Sequence, residues 1–533
     1  MKKLKFNFLY LLGLTLVFSS CTSDLDVQPE DDDISTADDF YKQPGAYKQA
    51  LAGVYGNLSL TGTGGAGSSF LQGVDAGTSQ FGRCLWYMQE LTTDEAIWSY
   101  ENDPGVRELQ RNTWNAENPL ILGMFSRTMV EVALANEFLK QSTPAKLSSR
   151  NISSEEAAEI EVYRNEVKVL RAMAYYYMLD MFRKAPFITE NDPVNFRGPE
   201  YNAQQLYDFI ESELVAALPN LKAARSNEYG RLDQGMANMV LAKLYLNAEV
   251  YIGTPKYAEC AAKCQEVINS GYVLNANYLN NFKADNHTSS ENIFTLQSDG
   301  TLTQNYGPTT TMVNGEVGSL ELNGVSLGTS AAGWSGALRT RKQFFQKFGA
   351  LGNVDSDSRN TFLAHPDREL DITDIANKNQ GYVLAKWSNI TSAGVAGPNS
   401  TFVDTDFVLF RLADAYLMYA ECAARGAAGT NPAVALDYVN DLRERANGNA
   451  SENISQSELT PEFILDERAR ELHWEGHRRQ DLIRFGKFTG GSYNWEWKGN
   501  SAGGVAIANH LRIFPLPTAS IAANPNLTQN TGY

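Results

Sequence analysis

SSEEAAEIEVYRNEVKVLRAMAYYYMLDMF, residues 153–182, reads as one long amphipathic helix, and it decides the fold class. Ser153 with Glu156 makes a capping box at its start, where a serine hydroxyl satisfies a backbone N–H that the first turn leaves without a partner. Val167, Leu170, Ala174, Tyr177 and Met181 then recur on one face at helical spacing. Other helices start in similar ways. Asp233 caps LDQGMANMVLAKLYLNAEVY, and Thr254-Pro255, Asn431-Pro432 and Thr460-Pro461 each set a cap residue before a first-turn proline. Leu409, Leu412, Tyr416, Tyr419 and Ala420 line one face of a helix expected over about Thr405 to Arg425.

These segments fall into pairs joined by short turns: 155–218, 233–270, 405–447, and a fourth from helices near 36–57 and 118–140. The expectation is an all-α body of about four tetratricopeptide-like helix pairs, although no clear 34-residue consensus repeats. Two stretches break the pattern. Residues 58–105 and 285–400 are rich in Gly, Ser, Thr and Asn, lack helical periodicity and are dense in turn chemistry. Irregular segments of that length inside a helical protein are more often functional than ornamental, so both are expected to shape one binding face.

Bulk composition narrows the function. The 533 residues hold 45 basic and 62 acidic side chains, a formal charge of −17, with no run of Lys or Arg to interrupt it. Such a field repels nucleic acid, so no nucleic-acid partner is expected. Aromatics make up 11% of the chain, compatible with a binder of flat-faced ligands and equally with a large core.

The first residues carry the sharpest local signal. Lys2, Lys3 and Lys5 precede an apolar run, Phe6 to Phe18, too short to span a bilayer. The run ends in Phe18-Ser19-Ser20-Cys21, small residues directly before a cysteine. Residues 1–20 therefore read as a lipoprotein signal peptide, Cys21 as the acylated residue, and the acidic stretch 21–35 as a tether to a single body over 36–533. The expectation is a membrane anchor made of lipid. Cys84, Cys260, Cys264 and Cys422 show no framework spacing and read as buried thiols.

The C-terminal third, through FRLADAYLMYAECAARG (410–426), ALDYVNDLRERA (435–446), ILDERARELHWEGHRRQDLIRFGK (464–487) and RIFPLPTASIAANPNLTQNTGY (512–533), resembles the SusD/RagB family of outer-membrane lipoproteins. VLRAMAYYYMLDMFRKAPF (169–187) and GRLDQGMANMVLAKLYLNAEVY (230–251) fit too, so the likeness covers essentially the whole mature chain. LTGTGGAG, GVDAGTSQFGR, ELTTDEAI and LNAEVYIGTP point to its starch-binding branch. The resemblance implies a SusD-like fold, a loop-built glycan face, no catalysis and no cofactor. It also implies a partner, a TonB-dependent outer-membrane transporter of the SusC type. Asp24 and Asp26 are similar to the signals that send such lipoproteins to the cell surface.

Capturing a neutral sugar chain calls for aromatic faces against the C–H faces of the rings and for donors and acceptors along the hydroxyl rim. Residues 75–102 supply Asp75, Arg83, Trp98, Tyr100 and Asn102. The resemblance places an aromatic, an arginine and an asparagine of this segment on the glycan. Trp98 and Tyr100 compete for the aromatic place, and a core Trp98 with a salt-bridged Arg83 is the plainer alternative. Tyr306 and Trp334 are the second aromatic pair, with Trp334, in a GWSG run, suiting a core ring as well as a site ring. The resemblance implies a further tryptophan in this stretch that the chain lacks. That keeps a β-1,3-glucan open beside starch-like α-glucan, with peptide as a third cargo and glycoside hydrolysis as the enzymatic reading.

His473 and His477, spaced HxExH, do not match the HExxH zinc pair, and they read as part of a helix laced by Asp466–Arg470 and Glu475–Arg479 ion pairs. Asp285, in FKADNH, could join backbone carbonyls around a structural calcium, but one acid is too few ligands to make the site.

Overall fold

The structure, a computed structural model, describes residues 36–320, 324–331, 333–349, 357–363 and 368–533. The signal peptide, Cys21 and the tether lie outside the described residues.

The helices that organise the body are α1 (Ala46–Ser59), α2 (Phe81–Trp86), α3 (Pro119–Gln141), α4 (Ser154–Phe182), α5 (Ala203–Ala217), α6 (Gln234–Leu246), α7 (Tyr257–Ile268), α8 (Pro308–Gly315), α9 (Leu412–Ala424), α10 (Pro432–Asn447), α11 (Pro461–Leu472) and α12 (Arg478–Arg484). Each long helix packs on the next: α1 on α3, α3 on α4, α4 on α5, α5 on α6, α6 on α7, α7 on α9 and α9 on α10. The pairing is the one expected from the sequence, an all-α framework whose continuity between α7 and α9 is spatial rather than sequential.

The caps explain several boundaries. Ser153 accepts the Glu156 N–H at 3.1 Å, Asp233 those of Gly235 and Met236, and Thr460 that of Phe463. Each bond satisfies a backbone donor orphaned at a helix start. The Thr254-Pro255 cap is corrected: α7 begins at Tyr257, its N-cap is Lys256, and no side chain bonds there.

Three further expectations are overturned. The helix expected from Thr405 starts only at Leu412, because Phe407–Arg411 is a buried strand, here β4, antiparallel to β2 (Asn292–Leu296). Its run of Phe, Val, Leu and Phe is fully buried and aromatic-rich, which suits a short two-sided strand. The 58–105 segment is not loop throughout. From Ser79 to Ser99 every residue is buried, in α2, a wide turn and β1 (Ala96–Trp98), which pairs with β3 (Leu338–Thr340). Finally, His473 and His477 do not share a helix, since α11 ends at Leu472 and α12 opens at Arg478.

Asp466 and Arg479 take distant partners in place of the i, i+4 ones expected, and buried ion pairs bind the core. Asp466 pairs with Lys347 at 2.6 Å and Arg479 with Asp180 at 3.2 Å. Arg411, 1% exposed, meets Glu291, Glu471 and Glu475 at 2.6–2.7 Å. Arg359 meets Asp357, Glu467 and Glu471. Buried pairs add little net stability against an apolar replacement, but breaking one strands a charge, so they dictate one arrangement of α9, α11 and β4. All four cysteines among the described residues are buried and free, as read from the sequence.

Candidate functional site

Segments far apart in sequence converge where β1 meets β3. α2 holds Arg83 within the core, its N-terminus fixed by Gln80, whose side chain accepts the Arg83 N–H at 2.7 Å. β1 carries Trp98 up to the edge and leaves Tyr100 just past it. The loop before α8 supplies Tyr306, and the turn before β3 supplies Trp334.

The rings form one chain of contacts. Tyr100 lies 5.8 Å from Trp98 and Trp98 6.4 Å from Trp334, both edge to face. Trp334 lies 6.0 Å from Tyr306, and Tyr306 5.1 Å from Phe402. Trp98 is only 2% exposed, its Nε1 donating to Asp103 at 3.1 Å. A ring so enclosed has no face for a ligand, so its expected contact role is corrected to that of a floor. Tyr100, Trp334, Tyr306 and Phe402 are half-buried, and the first two meet the Trp98 ring directly.

Arg83 is 6% exposed and lies under this row, its guanidinium carbon 6.0 Å from the Trp334 ring. Its Nε donates to the Tyr87 hydroxyl at 2.8 Å, and among the described residues it forms no salt bridge. The plainer reading of Arg83 as an ion-pair member therefore fails. Gly77 brings the group together: a Cβ placed there would sit 3.3 Å from Arg83 Nη1, 3.4 Å from Asp75 Oδ1 and 3.4 Å from Tyr306 Cβ. Asp75 is exposed, with Oδ1 accepting the Thr78 N–H at 3.0 Å. Asn102 is exposed in the turn beyond Tyr100.

Two participants were missed by sequence reasoning. Lys378 Nζ donates to the Tyr100 hydroxyl at 2.6 Å and to the Gly333 carbonyl at 2.7 Å, while lying 4.6 Å over the Tyr100 ring. It thereby ties Tyr100 to the turn that bears Trp334. Phe402 extends the row past Tyr306. Neither carries a local signal, because both arrive from the irregular 285–400 segment or just beyond it, across long loops.

The groups considered for metal are occupied otherwise. Asp285 accepts from the Ser392 N–H at 2.8 Å and the Ser392 hydroxyl at 2.5 Å. His473 Nδ1 faces the Arg470 carbonyl at 3.0 Å and His477 Nδ1 faces Lys243 Nζ at 3.1 Å. Burial, reinforced by Lys386 and Lys243 respectively, holds both imidazoles well below their ordinary range, hence neutral.

A row of half-buried rings beside a guanidinium with donors to spare can stack on flat apolar faces and donate to a rim of hydroxyls. The comparisons with known proteins bear on the family and the fold. The profile of the SusD family matches residues 257–533. The chain is 31% identical to the starch-binding protein SusD of Bacteroides thetaiotaomicron, over 97% of this chain and 96% of that protein. It is 26% identical to the SusD-like protein P2 of Formosa agariphila across all of both chains. Among solved structures, surface glycan-binding protein A of Bacteroides fluxus superposes with a TM-score of 0.70 at 20% identity, covering 92% of this chain and 100% of the other. From its sequence and its fold alike, this chain belongs to the SusD/RagB family.

Proposed function

We propose that this protein is a cell-surface glycan-capture lipoprotein that holds starch-like α-glucan for uptake by a partner TonB-dependent transporter of the SusC type. The observation that carries the reading is the row Tyr100–Trp334–Tyr306–Phe402 over Arg83. Sugar rings stack their C–H faces on these rings, while Arg83 and Asp75 meet hydroxyls between them. Each stack contributes about 0.5–1.5 kcal/mol by analogy with aromatic pairs. A few shallow stacks give modest affinity and fast release, as handing over to a transporter requires. Asn102, exposed beyond Tyr100, adds a polar contact at that end. The likeness to starch-binding SusD supports α-glucan, and the missing tryptophan makes β-1,3-glucan the alternative cargo.

Binding without catalysis is the reading for the same face. Glu316, directly after α8, has its carboxyl pushed well above the ordinary range by burial, yet it is wholly enclosed and cannot reach a substrate. The anchor is assigned to Cys21; among the described residues no helix is long and apolar enough to cross a membrane.

Affinity electrophoresis in gels carrying amylopectin, laminarin or levan tests the proposal. Retardation by amylopectin supports it, and retardation by laminarin alone keeps the capture role but changes the linkage. Unretarded migration in all three refutes it.

A further inference from the structure

A cavity of ≈ 320 Å³ is lined by α1, the turn 228–231, β2 and Thr303. Its floor is apolar: Leu51, Leu58, Phe294 and Leu296. Two tyrosines line it, and both have their hydroxyls drawn away into the protein. Tyr55 donates to Glu166 at 2.7 Å and accepts the Leu232 N–H at 3.0 Å. Tyr229 donates to Asp406 and lies 3.0 Å from the Thr295 hydroxyl. With the hydroxyls fixed, what reaches the cavity is rigid ring surface, and Tyr229 is 51% exposed. The rim is polar, with the Lys48–Glu228 pair at 2.9 Å and the exposed amide of Gln297.

Fixed ring faces, an apolar floor and a polar rim make up the chemistry that recognises a pyranose, and the volume lies in the range of small-ligand sites. The cavity is also close to the ring row. Thr303 borders it and Tyr306 belongs to the row, so three residues of chain hold the two Cα positions within about 11 Å. Leu302, 83% exposed, adjoins Thr303 at the border of the cavity.

We infer that this cavity is a second carbohydrate subsite, which takes one end of the glycan chain held on the ring row. The inference rests on the capture reading and extends it: the protein selects for chain length. An oligosaccharide long enough to cover the row and follow the 303–306 chain to the cavity engages both, and the second contact is made at high effective concentration. A trisaccharide engages the row alone.

Two substitutions separate the contributions. In Gly56→Phe a ring grows from α1 into the cavity, where an added Cβ meets only Leu60 Cδ1, at 3.6 Å. Tyr229→Ala removes the exposed ledge by a different route. Isothermal titration with tri- and heptasaccharides of the series that the gels select, maltose-type or laminari-type, reads the result. Both variants should weaken the heptasaccharide roughly two- to tenfold, the value of one stack, and leave the trisaccharide unchanged. An unchanged heptasaccharide in both variants, or equal losses for the two lengths, overturns the subsite while leaving capture standing. Unmodified protein that binds neither length overturns capture, and the subsite with it.

Discussion

Arg83→Lys is the substitution that discriminates most finely between a site residue and a scaffold residue. The guanidinium has five donors, of which Nε is engaged by Tyr87 at 2.8 Å. The others serve neighbouring ligand hydroxyls in the proposed complex. A lysine keeps the charge, but its single ammonium cannot reach Tyr87 and also bridge two hydroxyls in a fixed plane. Losing one charge-assisted hydrogen bond costs about 1.5–3 kcal/mol, which is roughly ten- to a hundredfold in affinity. Because Arg83 has no carboxylate partner among the described residues, no buried charge is stranded, and folding should be nearly unaffected. Titration calorimetry with maltoheptaose gives the affinity and urea denaturation the stability. An affinity within twofold of the parent, or a loss of stability matching the loss of binding, would refute the reasoning.

The scaffold and the anchor make their own predictions. Arg411→Met leaves Glu291, Glu471 and Glu475 short of their shared cation, and should lower unfolding free energy by about 3–5 kcal/mol in urea titrations. Acid should destabilise the protein between about pH 4 and 2: burial alone would raise Asp94 and Glu467, but Arg478 and Arg359 override it and hold both at about 2. The folded state thus binds fewer protons than the unfolded state in that window, and stability falls as pH falls. Glu131 has the opposite sign, pushed up to about 8 by burial, so the folded state retains its proton from about pH 4 upward. Glu131→Gln should therefore gain stability over the parent progressively from pH 5 to pH 8 in denaturant titrations, and a pH-independent difference would contradict this. Cys21→Ala should release the protein from the membrane fraction, whereas continued membrane partitioning would refute the anchor assignment.

The helical framework was legible because its signals are local. Capping residues such as Asp233 and Thr460, and the apolar face of residues 153–182, act within one or two turns. Where a long-range partner decides the outcome, local reading failed. Phe407–Arg411 reads as helix from its flanks, and becomes strand because β2 offers it an edge. Ser79–Ser99 looks turn-rich at its borders, yet it is packed from all sides by elements such as α3 and α12 that lie elsewhere in the sequence. The candidate site divides in the same way. Arg83, Tyr100, Tyr306 and Trp334 could be named from residue type and resemblance. That Trp98 is the floor, that Lys378 braces Tyr100, and that Phe402 lengthens the row depend on contacts between segments far apart in the sequence. Ion pairs show the same limit: Asp466 has an arginine one turn away but chooses Lys347.

The central claim is that the rings beside Arg83 recognise carbohydrate by shape. A crystal of the protein soaked with maltoheptaose and, separately, with laminariheptaose tests it most directly. The account predicts sugar density stacked along Tyr100, Trp334 and Tyr306, with hydroxyls in hydrogen-bond reach of Arg83. Sugar seated elsewhere while that row stays bare, in crystals that bind the glycan in solution, would contradict it.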